Sequence, residues 1–275
     1  MTDDDPPTCV REVYDAAFGL DRPLEQLWQP TSHAVVRATL DRLRRHRLPG
    51  AASHEDLWDL YAVYRLGALL RLGFQEPAAE RFGEVDPTEY IAWWRSLGVD
   101  VVTASSFHPF FHEIVAVEAA DEPDAPAVLV STVWPCLFWG RLLLSRAGVR
   151  VRAGARVLDP TVACRSTLYW DHLRIDRPCQ DLSTGWGHNS QWTTAHRRDY
   201  VVGGRLLYNL DAARRSAPAP GRPGDSLTDE QRQQLLRHRC SVRPPALDDE
   251  WPYDLAADEP LPADLVLDGL AGEDA

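Results

Sequence analysis

The first hundred residues carry apolar side chains at the spacing of an amphipathic helix. Val36, Leu40 and Leu43 recur at i, i+4 and i+7, and a broader apolar face follows over residues 54–72. Residues 86–89, Asp-Pro-Thr-Glu, are typical of a helix start, because the Asp carboxylate can accept hydrogen bonds from free N–H groups of the first turn. These patterns predict a helical layer in the first third of the chain.

After residue 98 several short runs have the character of strands. In some the residues are mostly β-branched, and in one, apolar residues alternate with arginines. Three of these runs predict strands, at 99–103, 114–117 and 149–152. Residues 200–208 predict a β-hairpin, because Gly203 and Gly204 suit a two-residue turn between two apolar runs. The apolar run over 128–145 favours a helix, which we expect to be interrupted near Pro135.

Together these elements predict an α+β fold in which a helical N-terminal layer packs on a small mixed or antiparallel sheet, with a C-terminal helix and an acidic tail. The expected divisions are a disordered N-terminus at 1–7, a single α+β domain at 8–210, a Pro/Gly/Arg linker at 211–225, a C-terminal helix at 226–245 and an acidic tail at 246–275.

The acidic tail holds almost all of the net charge of −12. Residues 248–275 carry ten Asp and Glu residues and no arginine, which leaves a net charge of −2 on residues 1–247. We expect a surface strap or a disordered segment that is dispensable for folding, because uncompensated acids oppose a packed element. A protein partner is expected to bind there, if at all. The apolar side chains that are candidates for docking on the body are Trp251, Tyr253, Leu265 and Leu267.

The chain contains no lysine, and all 29 basic residues are arginines. Schiff-base chemistry, a pyridoxal-phosphate anchor and the lysine of a P-loop are therefore excluded. The nearly neutral body has no basic stripe, which argues against nucleic acid as a partner. We expect a small polar molecule or a peptide instead.

The five cysteines are scattered and form no CxxC pair, so neither a disulfide framework nor a structural zinc site is predicted. A cysteine nucleophile is an alternative at Cys136, Cys164 or Cys179. The N-terminus is acidic, unlike a signal peptide, and the longest uncharged stretch, 125–140, is shorter than the roughly 20 residues of a membrane span. A cytoplasmic protein without membrane contact is expected.

Residues 105–113, Ser-Ser-Phe-His-Pro-Phe-Phe-His-Glu, are the first candidate for chemistry. If Pro109 begins a helix, His108 and His112 lie one turn apart and can chelate a divalent metal ion. The third ligand would be Glu113, with Glu118 or His188 as alternatives. The same histidines could act as acid–base groups without a metal, or could simply bond to the protein beside buried phenylalanines.

The second candidate is the polar, glycine-punctuated segment 181–200. Its indoles can stack on a ligand, its amides can recognise polar edges, and Arg198 can hold an anionic group. The residues expected to bind substrate are Trp186, Asn189, Gln191, Trp192 and Arg198. Alternatively, these side chains satisfy the loop itself. The chain has only two asparagines, Asn189 and Asn209, and such sparing use hints at a specific hydrogen bond or a left-handed backbone position.

Two functional hypotheses follow from these motifs. In the first, the protein is an enzyme that acts on a small polar or anionic metabolite or a peptide, with His108, His112 and His188 as metal ligands or acid–base groups. Both candidate segments would then converge on one pocket. In the second, the protein is a non-catalytic acidic binding protein, for instance of the immunity type, whose working surface is the tail and exposed tryptophans. Convergence of His108, His112 and His188 in space favours the first hypothesis, and their dispersal favours the second.

Overall fold

The computed structural model of the 275-residue chain describes residues 6–18, 23–75, 79–80, 83–163, 198–210 and 256–270. Helices dominate up to Ser96, and strands dominate after it. No helix in these ranges combines the length and the apolar character needed to cross a membrane.

The α-helices of the described residues are α1 (Val10–Phe18), α2 (Pro23–Leu27), α3 (Pro30–Arg42), α4 (His54–Leu70), α5 (Pro87–Ser96) and α6 (Pro160–Ala163). Short 3-10 helices follow α3 at Arg44–Arg47 and α4 at Arg71–Phe74. The start predicted at 86–89 is confirmed, since the Asp86 carboxylate accepts hydrogen bonds from the N–H groups of Thr88 and Glu89. Ser53 and Asp56 form a reciprocal capping box at the start of α4.

The described part of the chain after Ser96 contains ten strands: β1 (Asp100–Ala104), β2 (His112–Ala119), β3 (Val128–Trp134), β4 (Cys136–Trp139), β5 (Leu142–Ser145), β6 (Ala147–Ala153), β7 (Tyr200–Val202), β8 (Arg205–Tyr208), β9 (Ala257–Pro260) and β10 (Leu267–Asp268). One sheet has seven antiparallel strands in the order β10-β1-β4-β5-β7-β8-β9. The other has three, in the order β2-β6-β3, and its β2–β6 pair is parallel.

The seven-stranded sheet is strongly curled into a half-barrel. Its two edges are β9 and β10, which only residues 261–266 connect. That link spans at most about 25 Å, whereas a flat sheet of seven strands would be about 29 Å wide. The tail therefore forms both edges of the sheet, and its short link requires the sheet to curve.

Side chains alternate between two cores along the strands of this sheet. Leu142 and Leu144 of β5 pack with the helices, whereas Leu143 between them packs on the other side. The second core also holds the three-stranded sheet, the buried rings of Phe110 and Phe111, and Leu265 of the tail. One face of the large sheet thus carries the helices, and the other carries the small sheet and the turn between β1 and β2.

The predicted fold class is wrong in its balance, because the molecule is rich in sheet and the larger sheet has seven strands. The main cause is the run 128–145, which forms β3, β4 and β5 rather than a helix. A continuous apolar run is typical both of a buried helix and of strands covered on both faces. Pro135 separates β3 from β4, and Gly140, at φ 60°, forms the turn between β4 and β5.

Residues 256–270 of the tail, for which a surface strap or a disordered segment was expected, form β9 and β10, so the argument that the acids oppose a packed element is wrong for them. Leu265 is buried and Leu267 is partly buried, so the docking expected of these two side chains is confirmed. Trp251, Tyr253 and the helix predicted at 226–245 lie outside the described residues. The hairpin at 200–208 is confirmed, with both turn glycines at positive φ.

Candidate functional site

The turn between β1 and β2 carries the histidines that the sequence singled out. The backbone N–H groups of Phe111 and His112 both donate to the carbonyl oxygen of His108, each at 3.0 Å. The helix expected after Pro109 is therefore a single turn, and His112 is already the first residue of β2. Phe110 and Phe111 anchor this turn in the second core.

Each histidine uses its Nδ1 atom within this turn. His108 Nδ1 accepts a hydrogen bond of 3.2 Å from the Phe110 N–H, so the neutral ring carries its proton on Nε2. His112 Nδ1 lies 3.0 Å from the His108 amide nitrogen and 3.1 Å from the His108 carbonyl oxygen. Burial lowers the pKa of His112 to about 4, so this ring is neutral near pH 7. Both imidazoles therefore stabilise the turn, and each turns its Nε2 atom away from these bonds.

His108 faces a carboxylate from the tail. Its Nε2 atom lies 3.8 Å from Oε1 of Glu259 in β9, and the two side chains are only 14% and 15% exposed. The Tyr208 hydroxyl of β8 donates a hydrogen bond of 2.5 Å to the same Oε1 atom. The Tyr208 ring packs edge-on against Phe110, at 5.1 Å between centroids. Three chain segments thus bring an imidazole, a carboxylate and a phenol together at the rim of the half-barrel.

Arg146 connects this turn to the start of β7. Its Nε atom donates to the Pro109 carbonyl oxygen at 3.0 Å, and its Nη2 atom donates to Oδ2 of Asp199 at 2.8 Å. Burial lowers the pKa of Arg146, but Asp199, Tyr208 and Glu113 together raise it above its ordinary value, so the guanidinium stays charged. Oδ1 of Asp199 accepts a hydrogen bond of 2.8 Å from the Asn209 N–H. Arg146 therefore joins residue 109 of the first candidate segment to residue 199 of the second, and the predicted convergence of the two segments on one pocket stays a prediction, because residues 181–197 lie outside the described residues.

Asn209 has φ 50°, a left-handed conformation of the kind that the scarcity of asparagine suggested. Its side chain is buried, and its backbone position lets the N–H reach Asp199. The Leu210 N–H donates to the Arg198 carbonyl oxygen and so continues the pairing of β7 with β8. The residues just before β7 and just after β8 therefore lie side by side.

No three His, Cys, Asp or Glu side chains come together as metal ligands within the ranges that the structure describes. His112 and Glu113 are successive residues of β2, so their side chains point to opposite faces of the strand. Glu113 is buried, and its negative charge contributes to the raised pKa of Arg146. Glu118 forms an ion pair with Arg152 at 2.8 Å. His188 lies outside the described residues, and the metal site stays a prediction.

The predicted substrate-binding segment is described only at Arg198, whose guanidinium is fully buried. It donates to the Gly50 carbonyl oxygen at 2.9 Å and to the Tyr200 hydroxyl at 2.9 Å, and it lies 3.3 Å from His46 Nδ1. Arg198 therefore ties β7 to the segment after α3 and has no surface for a ligand. The other predicted ligand-binding residues and His188 lie outside the described residues: Trp186, Asn189, Gln191 and Trp192.

Sequence reasoning missed Arg146, Tyr208 and Glu259, the residues that hold the turn and face His108. Tyr208 ends the predicted hairpin next to Asn209, which is the one signal that pointed to this position. Burial raises the pKa of the Cys136 thiol to about 12, which leaves no thiolate for the nucleophile considered at that position. Cys164 and Cys179 lie outside the described residues.

No protein-family model matches the chain, and no curated protein or solved structure is significantly similar to it. Function is therefore inferred from the geometry of the described residues alone.

Proposed function

We propose that the protein is an enzyme that acts on a small polar metabolite or a peptide by acid–base chemistry at His108 and Glu259. The observation that carries this proposal is the pair itself: an imidazole and a carboxylate, both largely shielded, lie 3.8 Å apart at the rim of the half-barrel. Partly buried pairs of titratable groups are typical of sites of proton transfer.

The spacing of the two groups suits a bridging hydroxyl. A separation of 3.8 Å is too long for a direct hydrogen bond between His108 Nε2 and Glu259 Oε1. A single oxygen atom of a substrate or of water can, however, lie about 2.8 Å from both atoms. In that position Glu259 accepts the proton of the hydroxyl, and His108 Nε2–H donates to its oxygen or to a leaving group.

The surrounding residues hold this pair in place. Tyr208 donates to the same Glu259 oxygen that faces His108, which fixes the rotamer of the carboxylate. The Phe110 N–H fixes the His108 ring through Nδ1, and Arg146 holds the backbone of the turn at Pro109. Such positioning is what acid–base catalysis requires of the groups behind the reacting atoms.

The proposed substrate is a small polar metabolite or a peptide, with no preference for an anionic group. That preference depended on Arg198, and its guanidinium is buried within the fold.

The alternative, a non-catalytic protein that binds a partner through the acidic tail, has less support. Asp258 and Glu259 of the tail already bond to Arg205 and Tyr208.

Substrate depletion tests the proposal. The purified protein is incubated with a mixture of small polar metabolites and short peptides, and consumption is followed by mass spectrometry. We expect the wild type to consume at least one component and His108→Gln to consume it about 100-fold more slowly or worse. His54→Gln is the control, because His54 is exposed and lies on α4. Equal consumption by His108→Gln and the wild type would refute the assignment.

A further inference from the structure

A groove opens on the helical layer, between the starts of α1 and α4, away from the residues of the His108 site. It has a volume of about 550 Å³, within the range of small-molecule sites. Its lining residues are Cys9, Arg11, His54, Glu55, Trp58 and Asp59.

Aromatic carbon forms one wall of the groove. The Trp58 side chain is partly exposed, yet its Nε1 atom is buried and has no hydrogen-bond partner within the described ranges. The exposed part of the indole is therefore ring carbon. The His54 ring lies against it, with 5.0 Å between centroids and 54° between planes. The groove thus has an aromatic wall formed by two rings that are inclined to each other.

Three charged side chains line the groove, the Arg11 guanidinium and the carboxylates of Glu55 and Asp59. Asp59 pairs with Arg42, and Arg11 faces Asp15 at 3.7 Å. The exposed Glu55 carboxylate forms no ion pair or hydrogen bond in the part of the chain that the structure describes. Its negative charge is therefore available to a ligand that occupies the groove.

We propose that this groove binds a small organic cation, such as an alkylated ammonium ion, with Trp58 as the aromatic platform and Glu55 as the counter-charge. The face of an indole attracts a cation within about 6 Å of its centre, and a neighbouring carboxylate adds to that attraction. A ligand of this class buries its alkyl groups on the two rings and keeps its charge near Glu55. The proposal is independent of the His108 site, with which it shares no residue.

The Cys9 thiol, which lines the groove and is partly exposed, serves as the reporter. The full-length protein is alkylated with iodoacetamide, and the rate at Cys9 is followed by peptide mass spectrometry. The probe is choline, and its control is the neutral analogue in which carbon replaces the quaternary nitrogen. Cys136 is buried and should stay unmodified. We expect millimolar choline to slow alkylation of Cys9, and the neutral analogue to protect about fivefold less well.

Two variants test the carboxylate of Glu55 and the indole of Trp58 separately. Glu55→Gln and Trp58→Leu are expected to weaken the protection by choline by about threefold to fivefold each. Glu84→Gln is the matched control, because Glu84 is exposed and does not line the groove. Since Glu55 is exposed, Glu55→Gln keeps the test valid even if Trp58→Leu fails to fold. Equal protection by the neutral analogue, no protection by choline, or full protection in Glu55→Gln would each overturn the proposal.

Discussion

The hairpin β7–β8 and the tail strands β9 and β10 belong to the same sheet but reach it by different routes. The hairpin pairs residues within 200–208, and two glycines close it. The tail pairs Ala257 with Tyr208 and Leu267 with Ala104, across most of the chain in the second case. The hairpin forms from contacts among its own residues, whereas each tail strand needs a sheet edge that the rest of the fold must first form. The residue that faces His108, Glu259, comes from the second kind of strand.

Removal of the tail strands is expected to have the largest effect. Truncation after Leu255 deletes both edge strands and the buried Leu265 side chain. We expect the free energy of unfolding to fall by about 5 kcal/mol or more, since loss of one buried leucine alone removes about 2–5 kcal/mol. Thermal unfolding measures the change, and truncation after Leu270 is the control that keeps both strands. A midpoint within about 2 °C of the wild type would show that the sheet does not need its tail.

Arg146→Met is expected to cause the next largest loss in the free energy of unfolding. It leaves the Asp199 carboxylate buried without the guanidinium that lies 2.8 Å away, so we expect a loss of about 3–5 kcal/mol. Arg205→Gln breaks the exposed pair between the hairpin and Asp258 in the tail and should change stability by less than about 1 kcal/mol. Chemical denaturation of both variants gives the comparison. Similar losses in the two would show that burial does not distinguish these pairs.

His112 gives the turn a pH dependence. The unfolded chain binds a proton at this histidine below a pKa of about 6.5, whereas the folded protein does so only near pH 4. Its contribution to the free energy of unfolding is complete above pH 6.5 and falls by about 3 kcal/mol as the pH drops to 4. His33 and His46 also have lowered pKa values, mainly because of burial, and act in the same direction.

A variant isolates this contribution. In His112→Asn the amide oxygen can still accept from the His108 N–H, but the residue does not titrate. The difference in unfolding free energy between wild type and variant should therefore shrink as the pH falls from 7 to 4. A constant difference over that range would contradict the assignment of His112 as a buried neutral histidine.

A substitution in the hairpin turn is expected to have a smaller effect than loss of the tail strands or of the buried groups Arg146 and His112. Gly204 has φ 69° and open space around the position of a Cβ atom, so Gly204→Ala meets only the backbone preference. We expect a loss of about 1–2 kcal/mol in thermal or chemical unfolding, with the pairing of β8 and β9 unchanged. A loss as large as that of the tail truncation would mean that the hairpin turn contributes as much as the tail strands to the stability of the sheet.

Local signals in the sequence were sufficient where structure is local. The cap at Asp86 and the glycine pair at 203–204 predict their elements because the partners lie within a few residues. Nothing comparable marks β9, since Ala-Asp-Glu-Pro has low strand propensity and pairs only because β8 offers an open edge. The strands within 128–145 were missed because β4 and β5 are buried along their whole length, which hides the strand period there.

The candidate site divides in the same way. The spacing of His108 and His112 singled out the correct turn, because both side chains bond to the backbone within it. Glu259 lies about 150 residues away along the chain, among ten acids that the sequence does not distinguish. Arg146 is one of 29 arginines, and only the fold shows that its guanidinium joins Pro109 to Asp199.

The most direct test of the proposed site compares two neighbouring carboxylates of β9. Glu259 faces His108 and Tyr208, whereas Asp258, on the other side of the strand, pairs with Arg205. The measurement is the rate at which each variant consumes the component that the wild type depletes. Glu259→Gln, which can still accept from Tyr208, should be about 100-fold slower while Asp258→Asn keeps the wild-type rate. Equal rates in Glu259→Gln and Asp258→Asn would contradict the assignment of Glu259 to the chemistry.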